Sequence, residues 1–162
     1  MRAIEAFLLH FEHAWQHPWE SLAPLLENVS EEEARWTTPA YGDISATFGL
    51  PAGSIHWHVH HLTDCKLGYI AELARALDPG QPPRSESPFN PCATFAEERE
   101  RLRQVRQDEF DQIAALTDDA LERTMRNGTP IPHFLTATAR HDVWHAGQIA
   151  TMRRHFRARD VR

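Results

Sequence analysis

A chain of 162 residues, 41% of them hydrophobic, is long enough for one domain with a real core and short for two. No run approaches the roughly 18 consecutive apolar residues of a membrane span, and a formal net charge of −6 argues against nucleic acid or an anionic membrane as partner, since either favours a concentrated basic face. The N-terminal MRAIEAFLLHFEHAW is broken by acidic and histidine residues with no small-residue cleavage site after it, and Cys65 and Cys92 lack CxxC spacing, which together point to a cytoplasmic protein with reduced thiols.

In chain order, Ile4, Leu8, Phe11, Trp15, Leu22 and Leu25 give helical spacing from residue 3 to about 27. Pro18 and Pro24 interrupt it, so a kink or two shorter helices is expected. Ser30 with Glu33 reads as a capping box opening a short helical turn through Trp36. Thr37 to Gly53 has no periodicity and reads as a loop. Ser54 caps the next helix, whose apolar stripe is Ile55, Val59, Leu62, Ile70, Leu73 and Leu77, with a stop at Asp78 to Gly80.

A second long loop, Pro79 to Ala93, is rich in proline and is expected to cross an end of the domain or border a site. Thr94 and Glu97 form another capping box ahead of a charged helix carrying Phe95, Leu102, Val105, Phe110, Ile113 and Leu116. Thr117 is expected to cap a short turn, and Pro132 opens a last helix that runs to about Phe156. The basic end RRHFRARDVR reads as cations favoured at a helix C-terminus. No segment alternates as a strand does, so the class is all-α: four amphipathic helices with long crossover loops, a four-helix bundle forming a single domain over residues 1–162.

The composition outlier is histidine, with 11 copies in three clusters: His10, His13 and His17; His56, His58, His60 and His61; and His133, His141, His145 and His155. In HDVWHAGQI, residues 141–149, a step of about 100° per residue puts His141, His145 and Gln148 on one stripe with Phe134 and Met152, which faces the core. Buried polar groups need partners, and one shared metal ion supplies a partner to both rings, whose spacing of four residues lets two ring nitrogens converge.

A third ligand from a neighbouring helix would complete such a site. In SIHWHVHHL, residues 54–62, His58 and His61 lie on one flank with Cys65, and His60 points roughly the opposite way, toward solvent. Periodicity slightly favours His58 as the inward ring and does not select His61. His10, His13 and His17 lie off the apolar stripe of the first helix, and at most one of them is expected at a pocket mouth.

The strings SEEEARW at 30–36, SIHWHVHHL and HDVWHAGQI, in this order and spacing over nearly the whole chain, resemble the DinB/YfiT-like superfamily. The resemblance implies a four-helix bundle with a three-histidine divalent metal site. It carries the ligand positions to His61, followed by Leu62, and to His141 and His145, followed by Gln148 and Ile149. His58 then becomes a supporting or pocket residue. The loop YGDISATFGLPAG is longer than the family's usual turn and is expected to border the site.

Around these ligands, Gln148 is read as orienting a ligand or as packing between helices. Asp64 could fix a ring tautomer, although a solvated surface carboxylate is the preferred reading. Asp142 is expected to face an adjacent helix or solvent. Trp57 and Trp144 flank the histidines and either wall a pocket or, as the preferred reading, fill the core. Cys65 reads as a small buried hydrophobe.

Three neutral imidazoles leave an ion its full charge, and zinc, nickel and iron all suit such ligands. The resemblance implies either transfer of a low-molecular-weight thiol to an electrophile, linked to detoxification and stress response, or metal-dependent hydrolysis. The absence of an obvious general base favours the thiol transferase over the hydrolase. A non-catalytic metal or small-ligand binding stress protein is the alternative of another class. The partner expected is a small molecule, and the sequence leaves monomer and homodimer open.

Overall fold

The computed structural model describes residues 2–18, 21–38, 48–82 and 90–159. Residues 41–47 of the loop YGDISATFGLPAG, with their expected place beside the site, lie outside these together with residues 39–40, as do residues 83–89 of the proline-rich loop. The described residues form α1 (Ala3–Gln16), α2 (Leu22–Leu26), α3 (Glu31–Arg35), α4 (Ile55–Leu77), α5 (Phe95–Ala114) and α6 (Ile131–Ala158), with a 3-10 turn at Asp118–Glu122 before α6 and no strand among them.

Local chemistry sets the boundaries. Pro18 ends the first helical pattern, which divides into α1 and α2. Ser54 Oγ accepts from Trp57 N–H at the start of α4, and Thr94 and Glu97 reciprocate as a capping box at the start of α5. Only half of the box expected at α3 forms. Ser30 Oγ accepts from Glu33 N–H, but the Glu33 carboxylate accepts instead from Arg153 Nε at 2.9 Å, so Arg153 is a buried internal partner rather than part of a solvated basic tail. Thr117 precedes the 3-10 turn without capping it through its side chain.

Contacts along the helices give the topology. Going down α4, His60 meets Glu98, Lys66 meets Glu109 and the Ile70 carbonyl accepts from Gln112, so α4 and α5 run parallel. Against α6 the order reverses, His58 lying at His145 and Tyr69 at His141. α1 packs on α6 and α5. Two parallel helices in sequence need a connection that returns along the bundle, which explains the length of the segment between α4 and α5.

The core has two apolar layers with a charged one between. Ile4, Phe11, Leu73, Ile113, Ile131 and Leu135 pack at the end holding the start of α1, and Leu22, Ile55, Val59, Leu62, Phe95, Leu102 and Ile149 pack at the other. Between them along the chain lie Lys66, Glu109 and Asp142, one from each of α4, α5 and α6 and all buried, with Lys66 Nζ donating to both carboxylates at 2.8 Å. Asp142 thus faces the adjacent helices. Burial opposes the Lys66 ammonium, but the two carboxylates outweigh it and hold its pKa above the ordinary lysine value.

His60 is not solvent-facing: it is fully buried. α4 has a second packed face, toward α5, where Glu98 Oε1 lies 3.3 Å from His60 Nδ1, Glu98 Oε2 lies 3.8 Å from His56 Nε2, and the Cys92 N–H donates to Oε2 at 2.6 Å. The Phe48 ring meets His60 edge-on from a backbone in the left-handed region, φ 63°. Burial alone would raise the Glu98 carboxyl. Its contacts with His56, His60 and the Cys92 amide outweigh that and hold it well below the usual carboxylate range.

A lowered folded-state pKa means that this stabilisation is present above the unfolded value of about 4.3 and is lost as pH falls through the folded one. Glu98→Gln is therefore expected to cost about 1–3 kcal/mol at pH 7, with the gap to wild type closing below pH 4. Urea unfolding at the two pH values checks this, and a gap that does not change with pH would refute it.

Candidate metal centre

Helix α4 carries His58, His61, Cys65 and Tyr69 down the flank that meets α6, and α6 answers with His141 and His145. One ring nitrogen from each of His61, His141 and His145 lies within 4.8 Å of the other two, and among the described residues this is the group of three whose donor atoms converge. His141 Nε2 and His145 Nε2 are 3.0 Å apart. Two bonds of about 2.0–2.1 Å from these atoms can meet on one ion.

The other nitrogens of these two rings have protein partners. His145 Nδ1 lies 2.9 Å from His58 Nδ1, and His141 Nδ1 lies 3.1 Å from Tyr69 Oη. In the tautomer that leaves both Nε2 lone pairs free, His145 Nδ1–H donates to His58 and His141 Nδ1–H donates to Tyr69. Burial pushes the Tyr69 phenol above its ordinary pKa, so it stays protonated. Cys65 Sγ sits 3.5 Å from His61 Nε2 and is thus a neighbour of the imidazole rather than only a packing group.

Burial also makes the cluster neutral. It drives His145 down to about 2, with the neighbouring imidazoles adding to the effect, and His58 down to about 4 with help from His61. His61 and His141 shift down for the same main reason, opposed by the charges of Asp64 and Asp142 respectively. Four neutral rings next to one another offer lone pairs to a cation. Gln148 lies one turn beyond His145 on α6, and its Oε1 is buried with no hydrogen-bond partner among the described residues. Converging neutral nitrogens beside an orphaned carbonyl oxygen fit a divalent ion.

The aromatic residues sit at the edge of this cluster. Trp57 stacks on His61 at an interplanar angle of 8°, and Trp144 stacks on His141 at 16°. Trp144 is 60% exposed, so it does not fill the core: at its position α6 turns away from α4 and α5 toward solvent. His61 and His141 are themselves only partly buried, and each has one of the two indoles stacked on it. Asp64 is close enough for its charge to act on His61.

Tyr69 was not singled out from the sequence, although a signal exists. It follows His58 by 11 residues, about three full turns, and so shares its face of α4. His10, His13 and His17 are not at this centre. They line a separate cleft between α1 and α6.

The same rings account for the sequence strings that frame them. No curated protein matches the chain. A family model described as the DinB superfamily matches residues 11–149, a span that runs from α1 into α6 and contains His61, His141 and His145. The chain belongs to the DinB superfamily.

Proposed function

We propose that the protein is a metal-dependent enzyme that transfers a low-molecular-weight thiol to an electrophile, acting in the cytoplasm in detoxification or stress response, with His61, His141 and His145 as ligands of one zinc, nickel or iron ion. The observation that carries this reading is the convergence of three neutral imidazoles, two of them only partly buried, since a divalent ion with three protein ligands keeps a coordination position for a further ligand. A divalent ion held by uncharged ligands stabilises a thiolate at neutral pH. His58 and Tyr69 hold the ring tautomers, Gln148 offers a polar contact to an incoming group, and Trp57 and Trp144 flank the approach.

The nearby carboxylates favour thiol transfer over water activation. Asp142 and Glu109 are both engaged by Lys66 and are poorly placed to accept a proton. Hydrolysis is the second reading because of Asp64, a carboxylate whose charge reaches His61.

The test is elemental analysis of purified protein followed by a screen of several cellular thiols against a chlorinated aromatic electrophile. In that reaction a carbon–sulfur bond forms, chloride leaves, and the thiol proton passes to solvent. About one divalent ion per chain is expected, with turnover supported by at least one thiol and lost in His141→Ala. Hydrolysis of a chromogenic ester without any thiol requirement would favour the second reading. Bound metal with neither activity would leave a non-catalytic metal-binding protein.

A further inference from the structure

The cleft between α1 and α6, about 500 Å3 in volume, falls in the range of small-molecule sites and lies across α6 from the histidine cluster. Its floor is apolar, made by Phe7, Phe11, Leu135 and Val143. Its polar side chains are His10 and His13 on α1, His17 at the C-terminal cap of that helix, and Thr136 and Arg140 on α6.

The charge of this lining is one-sided. No Asp or Glu is among the described residues that line it. The carboxylates of α1 are committed elsewhere, Glu5 to Arg2 and Glu12 to Arg106. Among the described residues Arg140 has neither an ion pair nor a hydrogen bond through its side chain, and His17 Nδ1 is buried with no hydrogen-bond partner. In a chain of net charge −6, an apolar cleft whose rim holds a permanent cation, three imidazoles and no acid is a local exception.

We infer that the α1–α6 cleft binds an amphipathic monocarboxylate, its carboxylate against Arg140 and the imidazole N–H groups and its hydrocarbon body over Phe7, Phe11 and Leu135. One permanent cation matches one negative charge, and the guanidinium suits a carboxylate in bidentate contact. The apolar floor supplies most of the buried area and excludes a small hydrophilic anion as the preferred ligand. Because Arg140 and Val143 face α1 while His141 and His145 face α4, this site is separate from the metal centre.

The probe is 8-anilinonaphthalene-1-sulfonate, an aromatic monoanion, titrated by fluorescence into the full-length protein, with octanoate and octan-1-ol as competitors. Octanoate is expected to displace it at a concentration at least about tenfold lower than octan-1-ol. Arg140→Glu is expected to weaken both the probe and octanoate about tenfold or more. Thr136→Trp, at an exposed position that lines the cleft, is expected to block them by filling it. Circular dichroism confirms that both variants remain folded. Equal competition by the acid and the alcohol, or full affinity in Arg140→Glu, would overturn the inference. So would sedimentation showing a dimer that Thr136→Trp dissociates while wild type fails to bind the probe, since the occupant would then be a second copy of the chain.

Discussion

Replacing Lys66 by methionine is expected to destabilise the protein by about 3–5 kcal/mol, among the largest effects of any single substitution here. Lys66 is fully buried, and its Nζ donates to Glu109 and Asp142, each at 2.8 Å. Without the ammonium, two buried carboxylates face each other with no cation between them. Each already carries an oxygen without a hydrogen-bond partner, Glu109 Oε1 and Asp142 Oδ1. Methionine fills much of the lysine volume, so the loss reports charge rather than a cavity.

The pH dependence gives this result a signature. Burial already raises the Glu109 carboxyl despite the opposing pull of Lys66, and removal of that pull raises it further. A carboxyl whose folded pKa lies above its unfolded value of about 4.3 costs stability as pH rises past that value, and the cost is relieved on acidification. Lys66→Met should therefore approach wild type as pH falls from 7 toward 5, and adding Glu109→Gln should recover part of the loss at pH 7. Urea unfolding of the three proteins measures both. A penalty below about 1 kcal/mol at pH 7, as for an exposed pair, would mean that the layer is solvated.

This charged layer also shows where reading from sequence stops. The helix starts were legible because Ser54 and Thr94 bond to backbone within three residues, so their geometry is local. Lys66, Glu109 and Asp142 each look like one polar interruption of an amphipathic stripe. They become a layer only once three helices separated by long connections are brought to the same height.

His60 illustrates the same limit. A single apolar stripe on α4 predicts one buried face, whereas packing against both α5 and α6 gives it two, and Glu98 lies 38 residues away across the crossover. At the candidate metal centre the i, i+4 pair His141 and His145 was legible as local geometry. Periodicity could not choose between His58 and His61 for a physical reason: both point at α6 and both approach His145, one through Nδ1 at 2.9 Å and the other by ring centroids 5.1 Å apart. The family resemblance implies His61, and His58 sits at the Nδ1 side of the His145 ring.

That placement leads to the second large effect. Zinc added to metal-free protein, at a free concentration about 1,000-fold above its dissociation constant, should stabilise the fold by about 4.1 kcal/mol, since binding requires the folded cluster. For a chain of this size that corresponds to a rise of roughly 8–16 °C in the melting temperature. His145→Ala should abolish the rise, because it removes the ring that links His58, His141 and His61. His58→Phe should keep the site but weaken zinc by about 10–100-fold, because it keeps ring volume while leaving His145 Nδ1 without the atom that fixes its tautomer. Tyr69→Phe should act in the same direction through His141. Calorimetric titration with zinc separates these cases. If His145→Ala kept the full thermal shift, the ion would be bound elsewhere. If His58→Phe bound zinc as tightly as wild type, the contact between Nδ1 atoms would be packing alone, with no influence on which nitrogen of His145 is free for the metal.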